Sequence, residues 1–208
     1  MTRIGQYGVP RSGTNAVKAI LEHNLLDVFV DDSHKHGRNV SLDGVAGYVV
    51  NIKEPVSWVW SYYRYLRFVH NEQRDLQDCP LSEWLEYWES RTLAHLSLVE
   101  YEKCVVIQHE DLVRDPLGVL HQVAHRFAIP QHGNTDVFMD GYAKRGGGRY
   151  GSELIDRGKV FRRDYHLDGI WRDDMPKEAM AYCERFAGRV FERYPLLRIY
   201  MRESDGAL

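Results

Sequence analysis

Gly8-Val9-Pro10-Arg11-Ser12-Gly13-Thr14-Asn15 follows the apolar run Ile4 to Tyr7 and precedes a helical pattern, so the chain opens as strand, glycine-rich turn and helix. A helix that starts directly after such a turn leaves backbone N–H groups unpaired at the positive end of its dipole, where an anion fits. Gly8 and Gly13 permit the close approach and unusual dihedrals the turn needs, and Arg11, Ser12, Thr14 and Asn15 add donors. The same stretch also reads as an ordinary Gly/Pro/Ser turn.

Outward from this unit, apolar runs and helical spacings alternate. Thr14 to Leu26 reads as a helix with Ala16, Ala19, Ile20 and His23 inward; Asp27 to Val30 and Val45 to Ile52 read as strands. Pro55 to His70 is helical, with Val56, Val59, Trp60, Tyr63 and Leu66 on one face, and a second aromatic helix runs from Pro80 toward Val99. Cys104 to Ile107 reads as a strand, and Pro116 to Ala128 and Pro176 to Tyr194 as helices. Patterning is weak from Gln131 to Asp173. The alternation predicts one α/β domain over residues 1–208, three-layered, with a mostly parallel central sheet flanked by helices. Ligands in such sheets sit at the carboxyl ends of the strands.

With 44% hydrophobic and 27% charged residues, the chain has the composition of a globular protein. Its formal charge of −3 argues against a generally cationic surface for nucleic acid or membranes, although Lys144 to Arg163 is locally basic around Gly146-Gly147-Gly148. The start lacks the apolar core of a signal peptide, and no stretch approaches the roughly 18 apolar residues of a membrane span, which predicts a cytoplasmic protein. Cys79, Cys104 and Cys183 give neither a zinc spacing nor a disulfide framework. Oligomeric state is not legible.

Three constellations carry candidate chemistry. Gly8 and Gly13 have the spacing of the nucleotide P-loop G-x-x-x-x-G-K-[ST], but Thr14 stands where that motif places its lysine. Lys53 ends the third strand, and Ser61 lies two turns into the next helix; both can face a second phosphate, or be a solvated lysine and a helix serine. Ser33-His34-Lys35-His36-Gly37-Arg38 follows the second strand and offers His34 or His36 as a base near neutral pH, or as surface histidines. A His-x-His metal site is set aside because no third ligand cluster accompanies it. The aromatic residues Trp58, Trp60, Tyr62, Tyr63, Tyr65, Trp84 and Trp88 read as core, with an acceptor pocket as the alternative.

Taken together, these residues resemble the sulfotransferases that use 3′-phosphoadenosine 5′-phosphosulfate (PAPS). That family's 5′-phosphosulfate loop reads P-[KR]-S-G-T-[TSN], matched by Pro10-Arg11-Ser12-Gly13-Thr14-Asn15. Its 3′-phosphate motif is a strand ending in Arg, then x-P, with a Ser eight residues after the Arg; Lys53-Glu54-Pro55 and Ser61-Tyr62-Tyr63 keep the spacing with Lys for Arg. Its Y-E-D-L-x-x-D-P signature is similar to His109-Glu110-Asp111-Leu112-Val113-Arg114-Asp115-Pro116. The base of the cytosolic members lies in a K-T-H stretch, and Lys35-His36 falls in that region at a different spacing. Ala16 replaces a Trp that helps to hold the cofactor, and the C-terminal R-K-G-x-x-G-x-W element has two competing counterparts, Lys144-Arg145-Gly146 and Arg162 up to Trp171.

The resemblance implies a P-loop nucleotide-hydrolase-like fold and in-line sulfuryl transfer from PAPS to a hydroxyl or amine of a small-molecule or carbohydrate acceptor, without a metal. The implied cofactor-binding residues are Pro10, Arg11, Ser12, Gly13, Thr14, Asn15, Lys53, Ser61, Arg145 and Gly146, with Arg11, His36 and His34 as catalytic candidates. The rival readings are a P-loop phosphotransferase with Asp111 in a Walker B-like place, and a nucleotide-binding protein of the same fold without chemistry.

Overall fold

The computed structural model describes residues 1–39, 44–101, 103–133, 135 and 167–201. Four strands, β1 (Thr2–Gly8), β2 (Val28–Asp31), β3 (Gly47–Ile52) and β4 (Cys104–Gln108), form a sheet in the order β2-β1-β3-β4. Every pairing in it is parallel. All six residues of β3 are buried, as expected of a strand covered on both faces.

One face carries α1 (Thr14–Asn24) and α5 (Pro116–Phe127), reached through the short α4 (His109–Arg114). Here Ile4, Val49, Val105 and Ile107 of the sheet meet Val17, Ile20 and Leu21 of α1 and Leu120 and Val123 of α5. The opposite face carries α2 (Pro55–Val69), α3 (Leu81–Leu96) and α7 (Lys177–Arg193). Tyr7, Tyr48, Val50 and Ile52 pack there against Trp58 and Val59 of α2, Leu85 and Trp88 of α3, and Cys183 and Phe186 of α7. Two short helices, α6 (Trp171–Asp174) and α8 (Leu196–Tyr200), flank α7 in sequence. The result is the three-layer, parallel α/β arrangement expected from the alternation of elements.

Two helix faces differ from the spacing argument. The buried residues of α1 are Thr14, Val17, Ile20, Leu21 and Asn24, whereas Ala16 and Ala19 lie at the margin and His23 is exposed. The branched side chains take the innermost positions, and the small alanines pack at their edge. In α2 the fully buried indole is Trp58, and Trp60 is half-buried.

The strand order places the site. From β1 the chain crosses to β2 on one side, then returns past β1 to β3 on the other, so the order reverses between β1 and β3. The crevice of a parallel sheet lies beyond the strand ends at such a reversal. Gly8 is paired there with Asn51, and a Cβ on Gly8 would lie 2.7 Å from both the Asn51 carbonyl oxygen and Ser12 Oγ. Gly8→Ala is therefore expected to lower stability by about 1–3 kcal/mol through overpacking against fixed backbone. Urea unfolding checks this, and an unchanged midpoint would contradict the close approach.

Candidate functional site

The turn after β1 is built before any ligand meets it. Arg11 and Gly13 both have positive φ, 70° and 91°, and Ser12 Oγ donates to the Val9 carbonyl at 2.7 Å. The Trp58 indole N–H donates to the Pro10 carbonyl at 2.6 Å, anchoring the turn to α2. Below it Gln6 Nε2 donates to Thr14 O at 2.9 Å and to Asn51 Oδ1 at 3.0 Å, joining β1, α1 and β3. Gly13, the residue before α1, has no side chain with which to cap the helix. At α2, by contrast, the Glu54 carboxylate accepts from the N–H groups of Val56 at 2.9 Å and Ser57 at 2.7 Å. The first-turn amides of α1 thus keep their capacity for an external acceptor, and those of α2 do not.

Two side chains flank this terminus. Arg11 is exposed, and its guanidinium carbon lies 5.2 Å from the Tyr65 ring centroid. Asn15 is exposed and accepts from Lys35 Nζ at 2.8 Å through Oδ1, which leaves its Nδ2 to act as a donor. The Lys35 ammonium also meets Asp32 at 2.7 Å, and Asp32 meets Lys18 at 2.8 Å, so the loop after β2 is tied to α1 by alternating charges.

Lys53 and Ser61 come together: Nζ donates to Oγ at 2.7 Å. Lys53 is buried, and its carbonyl accepts from the Trp88 indole at 3.0 Å. Burial pushes the ammonium down to about 8, Glu110 opposes that shift and Arg11 adds to it. Burial likewise raises the carboxyls of Glu54 and Glu110. Lys53 and Arg11 therefore sense one another across the crevice between the ends of β1 and β3.

The two candidate histidines differ in placement. His34 is exposed, while His36 is half-buried with Nδ1 2.6 Å from the Gly8 carbonyl oxygen. A carbonyl only accepts, so Nδ1 carries the proton and the neutral ring offers the Nε2 lone pair. Burial lowers the basicity of His36, with Gly8 opposing and Lys35 adding. Gly8 N–H also donates to Lys35 O at 2.8 Å.

Sequence reasoning missed His95 of α3. It is buried, has its ring centroid 5.6 Å from that of Tyr7 in a tilted pair, and has Nε2 2.8 Å from the Gly37 carbonyl. Its spacing on α3 is that of a core position, and nothing local marks the contact with a loop 58 residues away. The anchoring roles of Trp58 and Trp88 are equally invisible in sequence, although their burial was expected. Asp111 pairs with Arg114 at 3.2 Å. Arg145 and Gly146 lie outside the described residues, as does the competing counterpart Arg162-Arg163; Trp171 is buried in the core. Among the described residues no group of three or more His, Cys, Asp or Glu side chains could hold a metal ion, and no helix is long and apolar enough to cross a membrane. No protein-family model and no curated protein matches the chain.

Burial pushes His95 down to about 4, against 6.5 for an ordinary histidine. Such a group stabilises the fold fully above the unfolded value, and that contribution is lost as pH falls through the folded value. The expected consequence is a stability loss on the order of 3 kcal/mol between about pH 6.5 and 4. It should be absent in a folded His95→Leu variant followed by urea unfolding against pH, and an unchanged slope would contradict it.

Proposed function

We propose that the chain transfers a sulfuryl group from PAPS to a hydroxyl or amine of a small-molecule or carbohydrate acceptor, on a P-loop nucleotide-hydrolase-like fold. The observation that carries this reading is the meeting of the Gly8–Asn15 turn and the Lys53–Ser61 pair at neighbouring strand ends. A donor with phosphates on both the 5′ and 3′ positions needs two anion sites in fixed relation. A nucleotide that lacks the 3′-phosphate uses only one. Thr14 in place of the P-loop lysine, and Asp111 paired with Arg114, weigh against a phosphotransferase.

On this reading the amides of Gly13, Thr14 and Asn15 and the Asn15 Nδ2 hold the 5′-phosphate at the uncapped start of α1. Lys53 and Ser61 hold the 3′-phosphate. The acceptor oxygen or nitrogen attacks sulfur in line, the bond from sulfur to the bridging phosphate oxygen breaks, and Arg11 neutralises the charge gathering on that oxygen. His36 takes the acceptor's proton on Nε2, its Nδ1–H remaining on Gly8 O. His34, which is exposed, is the weaker candidate.

These roles separate in measurement. Arg11→Ala should lower kcat by about 10²–10³-fold, the usual loss for one transition-state donor. Lys53→Ala should weaken adenosine 3′,5′-bisphosphate by about 10–100-fold, as for one charge-assisted contact. His36→Ala should cut transfer by about 10²–10⁴-fold with little change in that affinity. Labelled PAPS with an acceptor panel, and titration calorimetry, read these effects; full transfer by His36→Ala would move the base elsewhere.

The depressed Lys53 gives a pH signature of its own. Below about 8 it is already charged, whereas above that a phosphate raises its basicity and draws in a proton. Binding of adenosine 3′,5′-bisphosphate at pH 9 should therefore take up close to one proton, seen as an enthalpy that varies with the ionisation enthalpy of the buffer. The uptake should vanish in Lys53→Arg, and its persistence there would remove Lys53 from the site.

A further inference from the structure

The loop after β2 is fastened at three successive residues. Gly8 N–H donates to Lys35 O at 2.8 Å, His36 Nδ1 meets Gly8 O at 2.6 Å, and His95 Nε2 meets Gly37 O at 2.8 Å. The first two contacts come from the strand that leads into the anion turn. The third comes from α3, on the opposite face of the sheet from α1.

A loop joined to the strand end at Lys35 and His36 alone can still swing about that edge. Fixing Gly37 removes the freedom, because the peptide next to His36 is then held both by β1 and by α3. The His95 ring cannot yield easily: it is buried, packed on Tyr7, and carried by a helix whose Leu85 and Trp88 lie in the core. Its Nδ1 has no hydrogen-bond partner among the described residues, so the ring's one polar contact there is to Gly37. A buried polar ring with a single partner is poor packing for its own sake, and its effect is exerted on the loop.

We infer that His95 is a positioning residue for His36: by donating to the Gly37 carbonyl it fixes the loop so that His36 keeps Nδ1–H on Gly8 O and presents Nε2 beside the anion turn. This inference rests on the reading of His36 as the base. The two can fail separately, since His36's orientation is measurable without any substrate.

The charged groups that act on His36 are Lys35 and Asp32 on its own loop, and His36 in turn acts on His95 of α3, whose other neighbours are Arg91 on α3 and Tyr7 on β1. His95 is neutral above about pH 4, so its removal takes no charge from His36 near neutrality. What changes on releasing the loop is the burial of His36, which is the main cause of its lowered basicity.

The test is an NMR titration of the His36 ring proton in the full chain without ligand, the resonance assigned by its loss in His36→Asn. Three proteins are compared: wild type, His95→Leu, which deletes the donor, and His95→Gln, whose amide reaches the place of Nε2. His95→Asn, whose amide falls short of Gly37, replaces the leucine variant if that one does not unfold cooperatively. The expected result is a His36 midpoint that rises toward 6.5 with the donor deleted and stays at the wild-type value with glutamine. In transfer assays the acid limb of kcat should move up in pH with it, and kcat should fall about 10–100-fold with adenosine 3′,5′-bisphosphate affinity within twofold. A folded donor-deleted variant whose His36 titrates as in wild type overturns the inference. A midpoint that moves as expected in a protein that transfers no sulfuryl group supports the positioning role and removes the enzymatic reading alone.

Discussion

The parallel pairing of β1 with β3, with Gly8 opposite Asn51, is the constraint on which the site depends. It sets the two strand ends side by side at the point where strand order reverses. The Gly8–Asn15 turn then begins next to Lys53, because each strand passes into its loop there. Gly8 has no space for a side chain between the Asn51 carbonyl and Ser12 Oγ, so the turn starts as close to β3 as backbone allows. Its two polar atoms face the other way, toward Lys35 and His36, and so the same residue also locates the loop that follows β2.

Around this junction the protein holds charge that water would otherwise solvate. Lys53, Glu54 and Glu110 are all shifted by burial toward their neutral forms. Leaving charges in such a place is unfavourable unless partners are fixed nearby. Glu54 finds them in the amides of α2, and Lys53 in Ser61 and the field of Glu110. On the proposed reading, a cation already desolvated and oriented needs little rearrangement to meet an anionic ligand. The indole contacts from Trp58 to Pro10 and from Trp88 to Lys53 brace both halves from the layer below.

Much of this was readable in the chain. The buried strands announced themselves as short apolar runs, and the spacing of Lys53 and Ser61 anticipated that the two side chains meet. The inward face of α1 is rotated from the expected one: Ile20 is common to both, Val17 and Leu21 are fully buried, and Ala16 and Ala19, which fit the period equally well, are only partly buried against the core. The resemblance already ranks His36 ahead of His34, and the loop's fold puts the first ring against Gly8 and leaves the second exposed. His95 left no local signal at all, since its partner is a backbone carbonyl, which carries no residue identity.

Two anion sites that act on one nucleotide are the central claim, and titration calorimetry of the wild-type protein tests it most directly, without metal, comparing adenosine 3′,5′-bisphosphate with adenosine 5′-monophosphate. The account predicts at least about tenfold tighter binding of the bisphosphate, since one buried charge-assisted contact contributes about 1.5–3 kcal/mol. Equal affinities for the two ligands would contradict it.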